Sequence, residues 1–90
     1  MATKPLKSSQ IRAARALLRW SAEDLARVAA LGLATIRRAE GAEHNTSMTM
    51  ANDLAVRRAF ESAGIEFIDE NGGGLGVRFS KRHRPKNAKT

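Results

Sequence analysis

The run LARVAALGLATIRRAEG, Leu25 to Gly41, carries two short helical patterns broken once, at Leu31-Gly32. Leu25, Val28 and Ala29 supply the inner face of the first, and Ile36 and Ala39 that of the second. Ser21 is a ready N-cap for AEDLARVAA, with Asp24 at the third helical position completing an approximate capping box. Few architectures accept two helices of about two turns each across so tight a connection.

Such a pair is a helix-turn-helix unit, and its flanks extend the helical reading. SSQIRAARALLRW reads as a preceding helix that ends at Trp20, with Ile11, Ala14, Leu17 and Leu18 as its buried stripe. Ser8 or Ser9 caps its start. Arg12, Arg15 and Arg19 follow i, i+3, i+7 along another face, either as a solvated surface or as phosphate contacts. After the polar stretch GAEHNTSMT comes a longer helix, beginning between Ser47 and Asn52 and ending before Gly64. Val56, Ala59, Phe60 and Ala63 form its apolar stripe, with Met50 and Leu54 near the start.

The period then changes. Ile65 and Phe67 alternate with Glu66, and Leu75, Val77 and Phe79 alternate with Gly76 and Arg78. Asn71-Gly72-Gly73-Gly74 between them is turn chemistry, which predicts a β-hairpin over residues 65–79. A lone hairpin is barely stable in water, so its apolar face lies on the helices or its edge pairs with another subunit. SKRHRPKNAKT has no apolar pattern and reads as a disordered basic tail. The expected organisation is a flexible N-terminus over residues 1–7, one domain over 8–79 and the tail over 80–90.

Composition agrees with a helical domain. The 90 residues are 42% hydrophobic but only 4% aromatic, so the core is aliphatic and Ala-rich, which favours packed helices over a sandwich or barrel. No apolar run approaches the ~20 residues of a membrane span, and MATKPLKSSQ has no apolar signal core. The plain expectation is a cytoplasmic protein with no membrane partner. The absence of cysteine excludes disulfides and thiolate metal sites.

The net charge of +7 points to an anionic partner, nucleic acid foremost. Its distribution is uneven. Lys4, Lys7, Arg12, Arg15 and Arg19 stand in the first nineteen residues without an acid, and five more bases follow Phe79. Residues 20–41 carry three charges of each sign, so the helix pair itself is neutral.

No constellation suggests catalysis, a metal or a cofactor. His44 and His83 lie in polar segments without metal-ligand spacing. Glu23-Asp24 and Asp69-Glu70 fall at a helix start and near a turn, with no apolar pocket evident to shift a pKa. GGGLG lacks the Lys-Ser/Thr and the helix that a phosphate loop needs. The second helix of the pair is the better candidate. Arg38, opposite Ile36, suits a bidentate contact to guanine; Arg37 suits a phosphate; Thr35 suits the backbone or a thymine methyl. Arg12, Arg19, Arg27, Lys81, Arg82 and Arg84 are the further candidates for phosphate contacts.

These residues resemble a known family. RAARALLRWS, EDLARVA and ATIRRAEG, within Arg12 to Gly41, look like the phage Cro and repressor (XRE-type) helix-turn-helix. AGIEFIDENGGGLGVRF is similar to the ending of very small bacterial members, in which a hairpin follows the helices; the likeness spans residues 8–79. The resemblance implies a mainly α, lambda-repressor-like bundle of four to five helices with a C-terminal hairpin. It further implies a homodimer on a two-fold operator in double-stranded DNA, and a buried structural ion pair, here Arg15 with Glu40. The chain departs from the pattern at Ala22, where Gln is common, at Ala30, the usual turn glycine, and at Gly32, the usual polar cap. Leu33 and Ala34 replace polar groove residues, and Glu43 stands where a base often grips the backbone. These changes remove much of the electrostatic grip on DNA.

Two readings follow. In the first, a transcriptional regulator reads operator DNA through Leu33, Ala34, Thr35, Arg37 and Arg38. In the second, the fold is kept but the same residues bind protein, with Leu33 and Ala34 seeding an apolar contact ringed by Arg37 and Arg38. The partner would be a transcriptional activator held by an antiactivator, or a toxin held by an antitoxin. A third role, nonspecific nucleic-acid binding through KRHRPK, rests on the tail alone. The hairpin edge and the Phe60 helix are the surfaces available for dimerisation.

Overall fold

The structure, a computed structural model, describes residues 4–70 and 72–80. Among these, four helices precede one antiparallel hairpin: α1 Ser8–Leu18, α2 Ala22–Ala29, α3 Leu33–Gly41, α4 Met50–Ser62, β1 Ile65–Ile68 and β2 Gly76–Phe79. The fold is mainly α. No described helix is long and apolar enough to cross a membrane.

Local chemistry sets the helix ends. The first helix stops at Leu18, two residues short of Trp20, because Arg19 turns left-handed (φ 58°) and the Trp20 amide donates back to the Arg15 carbonyl at 2.9 Å. Ala30 ends α2 the same way (φ 59°), with the Leu31 amide on the Ala26 carbonyl at 2.9 Å. Ser21 and Asp24 form the expected box: the Asp24 amide donates to Ser21 Oγ at 3.0 Å and the Ser21 amide to Asp24 Oδ2 at 2.9 Å. The start of α1 is a correction. Lys7, not Ser8 or Ser9, is the N-cap residue, and its amide donates to the Gln10 side chain at 3.0 Å. Ser8 is fully buried inside the helix, donating its hydroxyl to the Ala39 carbonyl. Thr49 caps α4 through the Asn52 amide, at 3.1 Å.

The core draws on all four helices and on β1: Ile11, Ala14 and Leu18 from α1, Leu25, Ala26 and Ala29 from α2, Ile36 and Ala39 from α3, Val56, Ala59 and Phe60 from α4, and Ile65 from β1, with Val77 of β2 partly buried against it. Phe60 stacks on Trp20 (centroids 5.6 Å apart) and meets Phe67 edge-on at 5.8 Å, so one aromatic cluster joins α4 to the hairpin and to the α1–α2 corner. Two expected core positions move outward. Leu17 is 39% and Val28 47% exposed. At about 100° per residue, a stripe centred on Leu25, Ala29 and Ala26 leaves Val28 on the flank, and Ala26 takes its place. Phe60 is fully buried and so offers no dimer surface; the exposed large apolar residues of α4 are Met50 and Leu54.

Gly64, at φ 100°, lets the chain leave α4 directly into β1. The hairpin pairs Ile65 with Phe79, Glu66 with Arg78, Phe67 with Val77 and Ile68 with Gly76. Its β1 packs on α4 and its β2 on α1, so of the two fates open to the hairpin it lies on the helices. Gln10 Nε2 holds its mouth, donating to the carbonyls of Ile68 (3.3 Å) and Gly76 (3.2 Å). Phe79, expected inward, is 41% exposed because it ends its strand at the rim.

The expected flexible stretch over residues 1–7 is corrected at its described end. Leu6 is 1% exposed, its amide donates to the buried Asp53 Oδ1 at 2.9 Å, and Lys7 bridges to Asn45. The basic tail, with Lys81, Arg82 and Arg84, lies outside the described residues beyond Ser80.

Candidate nucleic-acid interface

The three-residue turn Ala30–Gly32 sets α3 beside α2 on the molecular surface. Ile36 and Ala39 face inward at 1% exposure each. One helical step away, Ala34, Arg37 and Arg38 are exposed, with Leu33 and Thr35 half-buried beside them. Of the five residues expected at a binding surface, Ala34, Arg37 and Arg38 form the outer side of the helix, Thr35 lies on its flank, and Leu33 packs partly against the core.

Three side chains of α1 fix the far end of that helix. Arg15 grips the Glu40 carboxylate with both arms, Nε to Oε2 at 2.6 Å and Nη2 to Oε1 at 2.8 Å, while its Nη1 donates to the Trp20 carbonyl at 2.9 Å. The hydrogen bond to Glu40 raises the Arg15 pKa further above its ordinary value. The pair is partly buried rather than fully so, Glu40 more deeply than Arg15. Arg12 Nη1 donates to the Glu40 carbonyl, and Ser8 to that of Ala39. The last carbonyls of a helix have no partner within it, so a hydroxyl and a cation are well placed there. Two arginines of the α1 stripe thus position α3, and Arg19 alone of the three stands without a partner among the described residues.

The charges around the outer face are mostly matched. Arg27 meets Asp24 at 3.2 Å, and Arg37 reaches across to Glu23 of α2 at 3.3 Å. The Ser21 amide, then Arg27 and the Ser21 hydroxyl, hold the Asp24 carboxyl below its usual range. Two acidic residues, Glu23 and Asp24, occupy the first turn of α2. Arg38 is different: it is exposed and has no partner among the described residues.

No protein-family model matches the chain, and no curated protein matches it.

Sequence reasoning placed Arg37 on a phosphate and missed Glu23, whose partner lies fourteen residues on and leaves no local pattern. It also passed over Asp53, although an acid three residues before Val56 and seven before Phe60, on the apolar stripe itself, signals a buried polar anchor.

Proposed function

We propose that the chain is a non-enzymatic transcriptional regulator of the lambda-repressor-like, XRE type, which lays α3 in the major groove of operator DNA. One observation carries this reading: the outer face of a helix held rigidly at its far end presents an unpaired arginine, Arg38. An unengaged guanidinium on a fixed element suits a bidentate contact to guanine, Ala34 beside it suits a thymine methyl, and the part of Leu33 left uncovered by the core suits another. Arg19, unpaired near the start of α2, is the first candidate for a backbone phosphate. A two-fold homodimer would place two copies of α3 on one operator, and such a protein would act in the cytoplasm. The test is a mobility shift on the DNA upstream of its own gene, run at low and raised salt. A specific band that weakens with salt supports the reading; no band at low salt removes it.

A second reading is favoured by the pairing of Arg27 with Asp24 and Arg37 with Glu23, which leaves the helix pair electrically balanced around Leu33 and Ala34. Here the same surface captures a protein, a transcriptional activator or a toxin. Co-purification of one such partner, bound through Leu33 and Arg38 and without any DNA shift, would decide for it.

A further inference from the structure

We infer that Glu23 governs how strongly this surface holds DNA by cancelling Arg37, an inference that rests on the DNA-binding reading above. Both side chains are largely exposed, 60% for Glu23 and 62% for Arg37, and their contact joins the first turn of α2 to the outward side of α3. So exposed a pair contributes little to folding. Its consequence lies in what it does to the electrostatics of the outer face. Affinity for a duplex grows with the number of phosphates that cations neutralise. A cation seated on a carboxylate adds nothing to that number. Should a phosphate draw Arg37 away, Glu23 is left beside the same phosphate as an uncompensated like charge. Arg37 and Glu23 therefore contribute no net phosphate neutralisation as a unit, and Arg38 is the cation of α3 left to act.

The inference separates two roles that adjacent arginines would otherwise share. Arg38 determines which base is read. Glu23 determines whether Arg37 strengthens the grip on any sequence at all. Neutralising Glu23 converts Arg37 into a phosphate ligand and leaves the base preference of the site unchanged.

The experiment is a mutant cycle on the full chain with the upstream DNA, followed from about 50 to 200 mM salt. Glu23→Gln is expected to steepen the fall of log affinity with log salt by about 0.9, so its advantage over the parent grows about 3.5-fold toward the low-salt end. Arg37→Ala is expected to weaken binding in the parent, because it leaves Glu23 uncompensated, and in the Glu23→Gln background to return affinity and salt slope to those of the parent. A double variant that keeps the steeper slope of Glu23→Gln, or an unchanged salt slope in Glu23→Gln, overturns the inference while the DNA reading stands. Absence of DNA binding in parent and Glu23→Gln alike removes the DNA reading and this inference with it. A second readout needs no DNA: the Arg37 Nε–Hε resonance of the free protein shifts on Glu23→Gln, and a resonance that stays in place also overturns the inference.

Discussion

Arg15 of α1 and Glu40 of α3 meet through two parallel hydrogen bonds, at 2.6 and 2.8 Å, twenty-five residues apart in the chain. Fork-to-fork geometry fixes direction as well as distance, so the pair orients the outer face of α3 against the rest of the bundle. Arg15→Ala is expected to cost about 1.5–3 kcal/mol of stability in urea denaturation. Arg15→Lys should recover little of it, because an ammonium cannot reproduce the planar fork. Full rescue by lysine would mean that charge alone matters there.

The box at the start of α2 makes stability depend on pH. Folding lowers the Asp24 pKa below its ordinary 3.8, so the folded chain binds this proton less readily than the unfolded one. The contribution is complete above about pH 4 and fades as the pH drops through the lowered value. A melting series on acidification should fall less steeply for Asp24→Asn, which does not titrate, than for the parent. Parallel curves would remove Asp24 from the acid response.

The turn before α3 holds a residue suited to replacement. Ala30 sits at φ 59° and ψ 43°, a region that disfavours a side chain with a Cβ. Ala30→Gly is expected to stabilise the fold by about 0.5 kcal/mol, the relief of that strain less the entropy of a freer unfolded chain. A lower melting temperature for the variant would contradict it.

Phe60 is the packing centre. Its removal strips a fully buried ring from between Trp20 and Phe67. Phe60→Ala should cost about 3–5 kcal/mol and abolish the near-ultraviolet signal of Trp20 well below the melting temperature of the parent. A cooperative, near-parental melt would show that the cluster is not central.

Arg38 bears the sequence preference in the proposed function. Its replacement by alanine should cost about 1–3 kcal/mol, concentrated at one base position of a selected operator. A loss spread evenly over all sequences would assign Arg38 to the backbone instead.

Features set by neighbours in the chain were legible in the residues: the Ser21–Asp24 box, Ile36 and Ala39 on one stripe, and the alternation that builds the hairpin. Features set by distant partners were not. Val28 and Leu17 obey the helical period yet lie outside, because the position of the next helix decides which part of a stripe is covered. Ser8 looks like a cap but bonds Ala39, thirty-one residues away. At the candidate surface, the residue types on α3 announced its outer face, whereas the difference between Arg37 and Arg38 depends on where α2 places Glu23.

The anchoring of Leu6 bears on how this protein is handled at the bench. Because that side chain fills the interior and its amide satisfies Asp53, trimming the chain back to Ser8 would open a hole and strand a carboxylate in one stroke. A cleavage scar or affinity handle belongs ahead of Lys4, whose carbonyl already accepts from Arg57 Nη2 at 2.7 Å.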